Sequence, residues 1–425
     1  MFIIYDLIFL FFVIFSLPVY ILRRKCHKGL WLRLGILPKY LLSDNPIWIH
    51  AVSVGEVMAI RLLYQRLRQV YQRYPLIIST VTSTGNEVAK RILDKKDSAI
   101  YLPFDFSFVV KSVVDKIKPS LFIITETEIW PNLLHYLYRK NIPVILVNGR
   151  ISDKSFKWYL SVRFLLKSTL AKIRLFCVQT VSDAERFKRL GVYEDRIYIT
   201  GNMKFDTAAT PALSQDPQVY RTNLGIQPQD KVFVAGSTHP GEEEIIFRVY
   251  RELLRDFAEL KLIIAPRHPQ RAGQIQRIAT KFGLSSILIS QLNQPPLNLQ
   301  EGGLPQIYIL DVIGQLLHYY AIADVVFIGG SLARKGGHNL LEPASLGKPV
   351  LFGPHMFNFK DIANLFLKSK AAILVHNQTE LRQHIADLLK DPHKREVLAK
   401  RAEVLIRQNQ GATARNLELI KLFLS

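Results

Sequence analysis

Residues 2–22 form a nearly unbroken apolar run interrupted by Asp6, Ser16 and Pro18. About 21 residues of helix span ~30 Å, the thickness of a hydrocarbon core, so the run predicts a membrane anchor. From Pro46 onward the pattern changes. Short β-branched runs at 47–52, 76–80, 99–102, 121–125, 144–147 and 175–179 predict strands. Between them, stretches such as 56–71 and 87–93 carry apolar residues at three and four spacing and predict crossover helices. The pattern pauses between 205 and 230, where TAATPALSQDPQ is poor in large apolar residues and rich in turn formers. It restarts with strands at 232–236, 262–265, 307–310, 325–328, 350–352 and 372–375. The tail over 380–424 reads as helical, with a break at Asp391 and Pro392. Alternating strands and helices in two blocks predict an α/β chain of two doubly wound, Rossmann-like domains. The expected divisions are an anchor at 1–24, a first domain at 25–206, a linker at 207–230 and a second domain at 231–425.

Composition narrows the class. A chain of 425 residues is too long for one ordinary core, and 49% hydrophobic with 21% charged residues is the balance of a folded protein. Its two cysteines, Cys26 and Cys177, sit in no CxxC or Cys/His cluster, which argues against a disulfide framework or a structural zinc. Lys and Arg outnumber Asp and Glu by 56 to 35, and the formal charge of +21 favours a polyanion: nucleic acid, anionic headgroups or a phosphorylated substrate.

The flanks of the apolar run give its orientation. No Lys or Arg precedes it, whereas Arg23, Arg24, Lys25 and Lys28 follow, so the positive-inside rule places the rest of the chain in the cytoplasm. A cleaved signal peptide would need a basic start, a shorter apolar core and a small-residue cleavage site, and none is present. Asp6 is expected near the outer headgroups. The stretch GLWLRLGILPKYLL at 29–42 suits a headgroup zone or an ordinary first helix packed on its own domain. Cys26 is a weak palmitoylation candidate.

Chemistry concentrates where predicted strands end. In GGSLARKGGHNLLEPASLGKPVLFGP at 329–354, a glycine-rich loop follows a strand, and His338, Asn339 and Glu342 stand where a helix should begin. Loop amides and a helix start suit a phosphate, and Glu342 suits ribose hydroxyls; the alternative is a demanding turn whose polar residues cap the helix. GSTHPGEEE at 236–244 puts Ser237 and His239 in a second loop, followed by three glutamates that the helix dipole alone would explain. Arg267 in APRHPQR has the planar fork that fits phosphate or carboxylate. In the first domain, Glu56 in HAVSVGE is a helix-start charge or a general base. Glu126 and Glu128 in ITETEIWPN are two carboxylates where capping needs one, and Arg150 in NGRIS and Lys204 in GNMKFD supply cations at neighbouring strand ends.

Taken in order, HAVSVGE, STVTSTGNE, YLPFD, ETEIWPN, NGRIS, GNMKFD, GSTHPGEE, PRHPQR, GGHNLLEP and GPHMFNFKD resemble the blocks of the Kdo transferases over almost the whole chain. These enzymes of Gram-negative envelopes move 3-deoxy-D-manno-octulosonic acid (Kdo) from CMP-Kdo onto lipid A precursors. The resemblance implies a GT-B fold with a cleft between an acceptor-binding first domain and a CMP-Kdo-binding second domain, no catalytic metal and no cofactor. It implies Glu56 as catalytic base, with Glu126 and Lys204 stabilising the transition state. It implies CMP contacts at Pro266 and Arg267, at Ile313, Gly314 and Gln315, and at Asn339, Leu340, Leu341 and Glu342, with the glycine-loop amides and Arg267 on the departing phosphate. The family often has Glu where this chain has Gln315 in DVIGQL, which implies altered contact detail. Its partners would be the donor, the bisphosphorylated lipid acceptor and the cytoplasmic leaflet of the inner membrane, with no nucleic acid. Two other readings stand beside this one. One keeps the fold but uses a UDP-sugar and a different lipid; the other, from charge alone, is a non-catalytic tethered binder of polyanions.

Overall fold

Two seven-stranded parallel sheets organise the computed structural model, which describes residues 5–7, 9–11, 13–15, 29–38, 45–208, 216–292 and 306–424. One compact unit comprises 1–207 with 409–425, and the other comprises 208–408. In the first, β1 (Ile47–His50), β2 (Leu76–Thr80), β3 (Ser98–Tyr101), β4 (Leu121–Thr125), β5 (Val144–Gly149), β6 (Leu175–Val178) and β7 (Ile197–Ile199) lie in the order β3-β2-β1-β4-β5-β6-β7. The second uses β8 (Val232–Thr238), β9 (Lys261–Pro266), β10 (Ser286–Leu288), β11 (Ile307–Ile309), β12 (Val325–Ile328), β13 (Val350–Phe352) and β14 (Ile373–Leu374), ordered β10-β11-β9-β8-β12-β13-β14.

The central strands are continuous apolar runs because helices cover both faces. Every residue of β1 (IWIH) and β4 (LFIIT) is buried. The helix Val54–Val70 returns the chain from β1 to β2 and buries Val57, Ile60, Leu63 and Leu67 at the helical period. In each sheet the direction of winding reverses once, between β1 and β4 and between β8 and β12. The loops leaving those strands part at that point and open a crevice at the carboxyl ends, where doubly wound sheets bind ligands.

All twelve expected strands are present within one or two residues of the positions read from the pattern. The two not expected, β7 and β10, are three-residue edge strands, too short to show a period. The helical tail breaks at Asp391 as expected, between Gln378–Lys390 and Pro392–Gln408. The division at 231–425, however, needs correction, because the last helix, Ala412–Lys421, packs on the first unit. There its Leu417 and Ile420 join the cluster around Ile60 and Leu63. Asp206 takes the backbone N–H of Gly411 at 2.6 Å and of Thr413 at 2.5 Å, and the Arg415 guanidinium donates to Thr200 O at 2.7 Å. Amphipathic period identified the helix but carried no information on which sheet its apolar face would meet. The expected linker contains a helix of its own, Pro217–Asn223, capped by Asp216.

The described part of the N-terminal run, residues 5–7, 9–11 and 13–15, is helical and docks on the first unit. Asp6 accepts hydrogen bonds from Ser107 N (3.1 Å), Ser107 Oγ (2.5 Å) and Asn132 Nδ2 (2.7 Å), while the Phe9 ring meets Phe106 edge-on. Asp6 is therefore tied to the domain, not placed among headgroups as the sequence suggested, because Asn132 and Ser107 satisfy its lone pairs. Leu7, Leu10, Phe11, Ile14 and Phe15 are exposed. Among the described residues no helix is long and apolar enough to cross a membrane, and 1–4, 8, 12 and 16–28, including Cys26, lie outside them. Arg33 also turns inward, its guanidinium 4.8 Å from the Tyr101 ring centroid and donating to Val81 O, while Trp31 remains exposed.

Asp206→Ala leaves two amides at the start of the last helix without their acceptor. It is expected to cost about 1–3 kcal/mol, read as a lower denaturant midpoint for the first unit with early amide exchange over 411–421.

Candidate active site

At the reversal point of the first sheet, the loops after β1 and β4 carry Glu56 and Glu126. Glu56 lies in the first turn of Val54–Val70, where its carboxylate accepts the Val52 N–H at 2.8 Å and the Ser53 hydroxyl at 3.2 Å. Burial pushes its pKa up to about 8, reinforced by the negative charge of Glu126 and, less, of Glu128. His50, at the end of β1, is fully buried with Nδ1 3.0 Å from Ser79 Oγ; burial lowers its pKa to about 4, so it stays neutral.

Glu126 follows β4 directly and adopts φ 58°, a left-handed conformation uncommon outside glycine. That turn is fixed by its N–H donating to Val147 O at 2.9 Å. Its carboxylate is clamped by Arg150 Nε at 3.0 Å and Lys204 Nζ at 3.2 Å. Burial alone would raise its pKa, but the two cations outweigh that and hold it below the ordinary range. Glu128 has no such clamp, and burial with the Glu126 charge raises it to about 7. Three neighbouring glutamates thus hold their protons over different pH ranges, the arrangement that separates acid–base roles.

Lys204 is placed by a relay of amides. Asn148, itself at φ 55°, accepts the Met203 N–H at 3.1 Å. Gln179 donates to Asn148 O at 3.0 Å, Asn202 donates to Gln179 at 2.9 Å, and Asn202 accepts the Lys204 N–H at 3.0 Å. These amides were not singled out in the sequence, although NGRIS and GNMKFD contain two of them; Asn is the residue expected at a left-handed turn.

The second sheet's reversal point lies between β8 and β12. Ser237 turns there at φ 59°, and Arg267 follows β9 next to β8, exposed, with Pro266 buried at the strand end. His239 Nε2 lies 2.9 Å from His338 Nε2. Asn339 accepts the Leu341 N–H at 3.1 Å and donates to Glu342 at 3.0 Å, at the start of the helix Leu341–Ser345. Burial raises the Glu342 pKa, partly offset by Asn339 and Arg267. Leu340 and Leu341 have fully buried side chains and can offer a ligand only their main chain. Ile313 and Gly314 are exposed on the turn after β11, and Gln315 begins the helix Leu316–Ala321 at the same sheet edge.

The glycine loop departs from expectation. Its amides at Gly330, Ser331, Leu332 and Ala333, with that of His239, all donate to the buried carboxylate of Glu242, at 2.7 to 3.1 Å. A side chain of the protein fills the anion nest, so these amides are not open to a departing phosphate. The adjacent Glu243 is paired with Arg271 at 2.7 Å and accepts from Thr238 Oγ1. Two of the three glutamates that helix polarity seemed to explain are thus buried fasteners of the loop.

Glu56 is expected to titrate near pH 8, and Glu126→Gln, by removing a neighbouring negative charge, to move that pKa down. Carboxyl-labelled NMR titration reads both values, and an unshifted Glu56 near 4.5 would contradict the burial argument.

Residues 28–207 match the family described as 3-deoxy-D-manno-octulosonic-acid transferase (kdotransferase). The 3-deoxy-D-manno-octulosonic acid transferase of Haemophilus influenzae is 34% identical over 380 residues, covering 89% of this chain and 87% of its own. That of Chlamydophila psittaci is 30% identical over 431 residues, covering 99% and 96%. A putative UDP-N-acetylglucosamine 2-epimerase from Listeria monocytogenes has a TM-score of 0.60 at 14% identity, covering 89% of this chain and 96% of that one, and shares the GT-B-like pair of doubly wound domains. Identity of this extent over almost the whole length sets aside the non-catalytic reading: this chain belongs to the 3-deoxy-D-manno-octulosonic acid transferase family of glycosyltransferases.

Proposed function

We propose that this Kdo transferase moves Kdo from CMP-Kdo to a hydroxyl of a lipid A precursor, lipid IVA, with inversion and with Glu56 as general base. The observation that carries the reading is Glu56 itself, a half-buried carboxyl at a sheet reversal point whose pKa of about 8 makes it a stronger base than an exposed glutamate. In this reading Glu56 takes the proton of the acceptor hydroxyl, the oxygen attacks the anomeric carbon of Kdo, and CMP leaves with the bonding electron pair. Lys204 and Arg150 fix the charge of Glu126 beside that reaction. Arg267 meets the phosphate as it gathers charge, and Pro266, the turn 313–315 and residues 339–342 hold the cytidine part. The family's chemistry supports CMP-Kdo over a UDP-sugar; competition by CMP against UDP separates the two.

The acceptor is a phosphorylated lipid, and we place the enzyme at the cytoplasmic leaflet of the inner membrane. The exposed apolar side chains of Leu7, Leu10, Phe11, Ile14 and Phe15 and the basic group Arg23, Arg24, Lys25 and Lys28 support this. Because Asp6 and Phe9 hold that segment to the domain, these side chains can embed in the leaflet from one side.

Incubation of lipid IVA with CMP-Kdo and the enzyme should add Kdo by mass spectrometry, and Glu56→Gln should slow transfer by about a hundredfold or more. No addition by folded wild-type protein would sink the donor and acceptor assignment. Since a base works deprotonated, kcat/KM should rise about tenfold per pH unit up to pH ~8 and then level. Replacing Leu7, Phe11, Ile14 and Phe15 with Ser should shift the protein from the membrane pellet to the supernatant; unchanged pelleting would refute attachment by these side chains.

A further inference from the structure

His239 and His338 meet Nε2 to Nε2 at 2.9 Å with their rings within 5° of parallel. Gly330, at φ 68°, makes the pairing possible: a Cβ there would stand 3.0 Å from the His338 ring and 3.2 Å from that of His239. An imidazole pair joined this way needs one Nε2–H and one Nε2 lone pair. In the neutral pair the donor ring keeps a lone pair on Nδ1 and the acceptor ring a proton on Nδ1. One further proton can therefore enter at the donor ring's Nδ1 without breaking the bond between the rings, and the pair then offers two Nδ1–H donors and one positive charge. A second would set two N–H groups against each other.

The surroundings are poised for this change. Cations and a third imidazole face the pair from several elements: Arg267 and the His268 ring after β9, Arg271 beyond them, and Lys335 in the glycine loop. The carboxylates packed there are already engaged. Glu242 is satisfied by five amides, Glu243 is bound to Arg271, and Glu342 is held by Asn339. Burial first, and then these cations, lower both imidazoles to about 4, so the empty pair is neutral at physiological pH. An arriving phosphate dianion reverses the local field and supplies the acceptor that two Nδ1–H groups require.

We propose that the His239–His338 pair is a phosphate-responsive site that takes up one proton as the cytidine monophosphate group binds, becoming a charged hydrogen-bond donor to it. This rests on the CMP-Kdo donor reading above and adds to it two residues and a proton. The pair supplies the positive charge only when the phosphate is present, so the empty site does not carry a buried imidazolium.

Calorimetric titration of the full-length enzyme with CMP tests this, at about pH 7.5, where a nucleotide phosphate with a second pKa of ~6 is already a dianion. Run in three buffers of different ionisation enthalpy, it reads protons exchanged. Roughly half to one proton should be taken up per CMP, and none with cytidine. His239→Gln and His338→Gln, each of which keeps a hydrogen-bonding side chain but cannot titrate, should abolish the uptake and weaken CMP about tenfold. Binding of CMP to wild type without proton uptake, or uptake that persists in both variants, overturns the inference while leaving the donor reading intact. Failure of folded wild type to bind CMP removes both.

Discussion

A parallel sheet covered by helices on both faces has nowhere to put polar groups except where its strands end. In this chain that constraint acts twice. The runs IWIH and LFIIT are buried end to end, so polar residues follow them at once, in the loops where the winding reverses. Glu56 and Glu126 sit together because β1 and β4 are neighbours in the sheet though far apart in sequence. The same geometry in the second unit brings the loop after β8 against the loop after β12, and with them the two histidines.

Within these crevices the glutamates divide by what surrounds them. Glu126 is kept ionised by Lys204 and Arg150, Glu56 is kept protonated toward neutral pH by burial and by Glu126, and Glu242 is enclosed by amides. Burial raises the Glu242 pKa, and the backbone N–H groups that donate to its carboxylate oppose that rise. The same side chain thus holds its proton over different pH ranges, according to the hydrogen-bond donors and charges the fold supplies.

The sequence made the central strands legible because continuous apolar runs bounded by turns have one plausible role in an α/β chain. It proposed site residues through the resemblance of its motifs, and the fold brings Glu56, Glu126 and Lys204 near one another. It did not reveal the occupant of the glycine loop. GGSLARKGG reads the same whether its amides meet a phosphate or a carboxylate, and only the fold shows Glu242 reaching it from a different strand–helix unit. Nor could period alone assign the last helix to a sheet, or show that Asp6, in an apolar run, had partners more than a hundred residues away.

The return of the chain to its first unit bears on how the protein is made. Ala412–Lys421 supplies part of the apolar cover of Val54–Val70, yet leaves the ribosome only after the whole of 208–408. During synthesis the first sheet therefore waits with an uncovered flank while the second unit, contiguous in sequence, is free to complete itself. The amino-terminal half of the chain is thus the last to be finished, and its nascent form is the one with most to gain from a chaperone.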